Sequence, residues 1–187
     1  SFNPMKVLAA TGEAGAVLCD DEAIANRIRS LRYLGSSDMI ESREPDLNHK
    51  VDLLQAKILD FQLELLPQKV DRRQQIAQRY RSMLETTPID ASARPLTSSS
   101  FFDFPIRTNH SHILVEYLSR QGIDTRKRPS LTLTDQPALN PIGKREFPVA
   151  QAIARDTVCL PMFSSLRDEE IEAVGQHVVE FFKNVTK

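Results

Sequence analysis

Apolar positions along the 187-residue chain alternate between short runs and helical spacings. Gly15-Ala16-Val17-Leu18-Cys19 is a short apolar run between a glycine and Asp20-Asp21. It predicts a buried strand followed by a helix cap. Ala23, Ile24, Ile28 and Leu31 then recur at helical intervals, and Gly35 with Ser36 and Ser37 ends that helix. A polar loop follows to Leu47. From about Val51 to Leu84 the spacing is helical again, with Leu53, Leu54, Ile58, Phe61, Leu65 and Leu66 forming a stripe. Pro67 lacks a backbone N–H, so it should kink this region or open a second helix. Beyond it, Ile76, Tyr80 and Leu84 point inward, while Asp71-Arg72-Arg73 begins a solvated face.

The remainder predicts a smaller mixed unit. Residues 86–100 are rich in Pro, Ser and Thr and read as a loop. Phe101–Ile106 is a strand candidate whose partner is expected near Thr125. Ser111–Gln121 reads as a helix closed by Gly122. Residues 126–146 are irregular, with Pro129, Pro137 and Pro141. Pro148 can open a helix over Val149–Arg155. Val158–Leu160 is a short strand, and Asp168–Phe182 is an amphipathic terminal helix. Alternating strands and helices argue an α/β or α+β fold without repeats.

Composition narrows the class. Hydrophobic residues make up 41% and charged residues 26%, which suits a soluble globular protein with a core to fill. A formal net charge of -1 gives no basic excess, so neither nucleic acid nor a membrane is an expected partner. No apolar run is long enough to span a bilayer. The 2 Cys, Cys19 and Cys159, lie far apart in apolar runs. Both are expected to be buried and reduced, which places the protein in the cytoplasm. His110, His112 and His177 lack metal-ligand spacing, and no metal site is expected. The chain opens Ser1-Phe2-Asn3-Pro4-Met5-Lys6 without an initiator Met, and it is expected to be a fragment entering the middle of a fold.

Five segments carry a resemblance. They are Ser1-Phe2-x-Pro4-x-Lys6 with Gly15-Ala16-Val17; Asn48-His49-Lys50-Val51-Asp52-Leu53-Leu54-Gln55-Ala56; Arg72-Arg73-x-x-Ile76-Ala77-x-Arg79-Tyr80; Gly122-Ile123-Asp124-Thr125-Arg126 with Gln136-Pro137-Ala138; and Phe147-Pro148-Val149-Ala150 with Cys159-Leu160-Pro161-Met162 and Asp168-Glu169-Glu170. In order and near-family spacing, these resemble the DegT/DnrJ/EryC1/StrS family of pyridoxal-phosphate (PLP) sugar aminotransferases. The resemblance covers the whole chain and corresponds to the C-terminal half of a member. It implies an α/β fold: the C-terminal portion of a fold type I aminotransferase. Residues 1–50 would end the PLP-binding large domain, 51–85 would form a long connecting helical region, and 86–187 the small C-terminal α/β domain.

The resemblance also implies roles. Lys6 would hold the PLP cofactor and then act as base and acid in amino transfer. A lysine here, where related sugar dehydratases carry histidine, favours amino transfer. Ser1 would donate to the cofactor phosphate; the bland alternative is a frayed chain end. Asn48 would reach the same phosphate from a neighbouring subunit, donating without adding charge. That implies a homodimer with a shared site; the alternative is a helix cap ahead of Val51. Lys50, where the family has Arg, and Arg126, in the run Arg126-Lys127-Arg128, are candidate contacts to a nucleotide-sugar substrate, or else solvated side chains. An amino acid such as glutamate would be the donor, and polysaccharide biosynthesis the setting. The family usually reads Lys-Asn-Leu-Gly and Gly-Asp-Gly-Gly after the cofactor lysine. Here the text is Lys6-Val7-Leu8-Ala9 and Gly12-Glu13-Ala14-Gly15, so the turn is expected to be tighter. Without the missing N-terminal segment, which would supply the partner of the pyridinium nitrogen, this chain is expected to be inactive alone. The competing reading is a truncated or degenerate copy acting in binding or assembly.

Overall fold

A computed structural model of the chain describes residues 1–36, 38–91, 99–127, 131–142 and 146–185. It divides into two compact units, Ser1–Pro67 and Gln68–Lys187.

The second unit holds the core. Helix α3 (Leu66–Leu84) follows α2 (Leu53–Glu64) after Leu65 alone, and Pro67 stands in its first turn, where the missing N–H costs nothing. Its inward row Ile76, Ala77, Tyr80 and Leu84 is buried as the spacing predicts. Strand β1 (Phe104–Arg107) pairs antiparallel with β2 (Thr157–Leu160), Phe104 opposite Leu160 and Arg107 opposite Thr157. Helices α4 (Ser111–Arg120), α5 (Pro148–Asp156) and α6 (Asp168–Val185) complete the unit. Phe104, Ile106, Leu114, Leu118, Val158, Ile171, Val178 and Phe182 form one cluster with the α3 row. The strand expected from Phe101 starts only at Phe104, and its partner is not the segment near Thr125. That segment bridges Cys159 instead, through Arg126 N–H to Cys159 O at 3.1 Å and Cys159 N–H to Arg126 O at 2.7 Å. The central apolar strand β2 therefore serves both neighbours. Gly122 ends α4 with φ +75, as expected of a residue closing a helix.

Arg73 overturns the reading of Asp71-Arg72-Arg73 as a solvated face. It is 8% exposed, and its Nη1 donates to Phe101 O at 2.8 Å and Met162 O at 3.0 Å. Burial lowers its pKa from the ordinary guanidinium value, with the charge of Asp103 opposing. Phe101 lies at φ +45, a costly backbone for a bulky side chain, and the Arg73 bond pins its carbonyl.

Arg72 behaves as the sequence suggests and stays partly solvated, and so does Arg79. Both reach Asp168 Oδ1, at 2.7 and 2.9 Å, and Arg72 also donates to Leu166 O at 2.7 Å. The Arg72 hydrogen bond above all, with the charge of Arg79, holds the Asp168 carboxyl below the usual carboxylate range. The folded state thus binds that proton less readily than the unfolded chain. The stabilisation is complete above the unfolded value of about 3.9 and is lost as pH falls through the lower folded value. Glu170, held down by Arg167, and Asp156, held down by Arg155, act in the same sense. Asp168→Asn is expected to lower stability modestly near neutrality, where the ionised carboxylate meets Arg72 and Arg79, and to converge with the parent at low pH, which flattens part of the acid limb of a stability-versus-pH curve. An acid limb identical to that of the parent would refute this.

The first unit is built differently. Helix α1 (Glu22–Leu31) is capped by Asp21, whose side chain accepts from Ile24 N–H at 3.0 Å, as expected. The run Gly15–Cys19, however, forms no strand: Val17 is 67% and Leu18 94% exposed, and Cys19 is exposed rather than buried. Apolar residues also surround α2. Leu53 is 86%, Leu54 67% and Phe61 58% exposed, so its stripe faces no core here. A helix with exposed leucine and phenylalanine side chains and an unpaired apolar run both call for a packing partner. In this unit the one buried hydrophobic residue among those described is Ala10.

Candidate functional site

Four of the five candidate residues, Ser1, Lys6, Asn48 and Lys50, belong to the first unit; Arg126 belongs to the second. Lys6 lies half-buried in a loop that closes on itself. Phe2 N–H donates to Ala14 O and Ala10 N–H to Phe2 O, both at 2.8 Å, which ties the two ends together. Inside the loop, Lys6 N–H donates to Asn3 O at 2.8 Å and Met5 N–H to Asn3 Oδ1 at 3.0 Å, fixing the backbone at the lysine. Asn3 Nδ2 then reaches Glu13 Oε1 at 2.7 Å. The loop needs no left-handed backbone at Gly12 or Gly15, and Ala14 sits without positive φ. Glu13, standing in the altered stretch Gly12-Glu13-Ala14-Gly15, closes the loop on Asn3.

Ser1 is exposed, and its Oγ accepts from Asn3 N–H at 3.4 Å. It lines a groove of about 820 Å3 together with His49, Arg29, Arg32 and the apolar run from Gly15 to Cys19. Asn48 does not cap α2, because Asp52 takes that role by accepting from Gln55 N–H at 2.9 Å. Instead Asn48 Oδ1 accepts from Lys50 N–H at 3.3 Å, and its amide N–H2 has no partner among the described residues. Asn48 is held by pairing with Tyr33: Leu34 N–H donates to Leu47 O at 3.3 Å and His49 N–H to Arg32 O at 2.9 Å. The turn leading into that pairing depends on Gly35, at φ +68, where a Cβ would lie 1.8 Å from Glu44 O.

Lys50 is exposed, and its ammonium sits 3.6 Å from the centroid of the Tyr33 ring. A cation over a ring face is held in place without losing its charge. His49 turns its Nε2 to Asp46 Oδ1 at 3.3 Å. Arg126 pairs through its backbone with Cys159 and exposes its side chain; Arg128 of the same run falls outside the described residues.

The groove at Ser1 offers a hydroxyl beside Arg29 and Arg32, a donor set that suits a phosphate, while Lys6 offers a primary amine on a braced loop, as an aldehyde requires; neither Lys6 nor Asn48 lines that groove. Sequence reasoning missed Tyr33 and Gln55. Gln55 stands inside the quoted segment Asn48–Ala56, but nothing in the one-dimensional pattern says that its side chain turns back toward the residues after Lys6. Its Oε1 accepts from Thr11 N–H at 2.8 Å, Thr11 Oγ1 at 3.1 Å and Gly12 N–H at 3.0 Å.

Comparisons with known proteins bear on the family and the fold. The model of the DegT/DnrJ/EryC1/StrS aminotransferase family matches residues 1–179. The chain is 32% identical to the erythromycin biosynthesis sensory transduction protein EryC1 of Saccharopolyspora erythraea, over 98% of this chain and 50% of that protein. It is also 32% identical to the dTDP-3-amino-3,4,6-trideoxy-alpha-D-glucose transaminase of Micromonospora megalomicea, over 94% of this chain and 50% of that one. The crystal structure of S. venezuelae DesV in complex with a ketimine intermediate superposes with a TM-score of 0.92 at 30% identity, covering 96% of this chain and 50% of that one. The chain thus spans about half the length of the relatives it matches.

Proposed function

Because the chain belongs to the DegT/DnrJ/EryC1/StrS aminotransferase family and has the fold of the C-terminal portion of these enzymes, we propose that it is the part of a PLP-dependent nucleotide-sugar aminotransferase that carries the cofactor lysine. The reading rests on one observation: Lys6 stands half-buried in a self-closed, hydrogen-bonded loop. When bound, PLP supplies the electron sink for moving an amino group between an amino acid and a keto-sugar. Lys6 Nζ holds the cofactor and carries the proton between the two carbons involved, which asks of the side chain a fixed root and a mobile tip. The braced backbone at Asn3–Lys6 supports the root, and the four-carbon stem gives the tip its reach. Ser1 Oγ and the Asn48 amide act as neutral donors to the phosphate, Asn48 toward the site of a second copy in a homodimer. Lys50, steadied by Tyr33, and Arg126 meet anionic groups of the nucleotide-sugar. Glutamate or another amino acid is the donor, and the cytoplasm the setting.

Residues 1–50 end the large domain, 51–85 connect it, and 86–187 form the small domain. The exposed apolar run Gly15–Cys19 and the apolar faces of α2 support this division, since both call for packing partners from the rest of a large domain. The 187-residue chain alone is therefore expected to show no transamination, and turnover by it alone would contradict the reading. The direct test is borohydride reduction of the full-length protein after incubation with PLP, followed by peptide mapping. Label on Lys6 supports the enzyme. Label scattered over surface lysines marks a non-catalytic module.

A further inference from the structure

Gln55 is tied to the lysine loop by more bonds than its place on a helix requires. Its backbone N–H is committed to the Asp52 cap, so the side chain leaves the first turn of α2 from a fixed root. One amide oxygen then gathers three donors from two consecutive residues, Thr11 N–H, Thr11 Oγ1 and Gly12 N–H, at 2.8, 3.1 and 3.0 Å. A glutamine oxygen has two lone pairs, so three donors saturate it, and Thr11 and Gly12 are bound jointly. Both residues lie in the loop segment between Ala10, bonded to Phe2, and Glu13, bonded to Asn3. Asn3 in turn accepts from the backbone of Met5 and Lys6. A continuous chain of hydrogen bonds runs from α2 through Gln55, Thr11–Glu13 and Asn3 to the backbone of Lys6. The same short stretch that carries Asn48 and Lys50 thereby also fixes the lysine loop.

We propose that Gln55 is a positioning residue for Lys6, setting where the amine stands by anchoring the Thr11–Gly12 segment to α2. The proposal rests on the aminotransferase reading. A loop held in one place keeps the amine in the geometry proton transfer needs, and a displacement of about 1 Å can cost up to about a hundredfold in rate. The bond does not act on substrate, so loss of Gln55 should lower kcat while leaving KM for the amino donor nearly unchanged.

The test compares Gln55→Leu, Gln55→Asn and Gln55→Glu in the full-length holoenzyme. Gln55→Leu removes the acceptor, and Gln55→Asn draws it back by one methylene; the second variant keeps the measurement available should the first not fold. Amide exchange at Thr11 and Gly12 is expected to rise about tenfold in both, the equivalent of one lost hydrogen bond. With it, kcat falls about tenfold, and the pH at which the cofactor's absorption band changes is displaced. Gln55→Glu keeps an oxygen at the same reach and is expected to restore the exchange protection and most of kcat. Raised exchange with unchanged kcat and an unmoved absorption transition would overturn the proposal, leaving Gln55 as a local tie. Unchanged exchange would overturn it too. A parent protein that takes no label on Lys6 is a different result: it removes the aminotransferase reading and this proposal with it, before any variant is compared.

Discussion

Lys6→Ala in the full-length protein is expected to lose transamination by about a thousandfold or more, because one substitution removes both the cofactor's attachment and the proton carrier. Borohydride then leaves no label on the peptide that contains residues 1–6. Lys6→Arg does not rescue, since a guanidinium neither releases its proton near neutrality nor condenses as an amine does. A small primary amine added to Lys6→Ala is expected to return part of the rate by supplying a free base to the vacated space. The measurement is single-turnover amino transfer from a pre-loaded cofactor, which separates chemistry from binding. Activity within tenfold of the parent would dismiss Lys6 as the working amine.

Arg73→Met is expected to destabilise the protein by about 3 kcal/mol, a fall of roughly 10 °C in Tm, with little change in the denaturant slope. Methionine fills most of the same volume but leaves the carbonyls of Phe101 and Met162 without their donor in a site only 8% exposed. Arg73→Lys recovers less than half, because both carbonyls are met by the one terminal nitrogen Nη1, and a lysine stem, one atom shorter, holds its ammonium back from them. Urea denaturation of parent and variants gives the comparison. A loss below about 1 kcal/mol would mean that the guanidinium acts like an exposed surface charge.

Arg73 shows where one-dimensional reading stops. A charged residue beside two others on a helix reads as solvated, and Arg72, with its partner Asp168, bears that out. Arg73, the next residue, faces the core, and only the fold reveals that backbone carbonyls wait there. Cys19, Val17 and Leu18 fail in the other direction. Their run reads as an interior strand, yet a strand exists only with neighbours to bond, and here it has none. The pairing of Phe104–Arg107 with Thr157–Leu160, rather than with the segment near Thr125, was equally hidden. Strand partners are chosen by long-range closure, which apolar spacing does not encode.

The sequence by itself determined the helices, from the Asp21 cap through Pro67 to the stop at Gly122, because capping, proline chemistry and period 3.6 act within a few residues. It also determined the family, because five short segments keep their order and spacing along one line. The tertiary structure alone decided that Asp52 and not Asn48 caps α2, that Tyr33 lies under the Lys50 ammonium, and that Gln55 reaches back to Thr11 and Gly12. Each of these is a choice among competing hydrogen-bond or ring partners. Such choices are settled by distances across the folded chain, which no local pattern of residues contains.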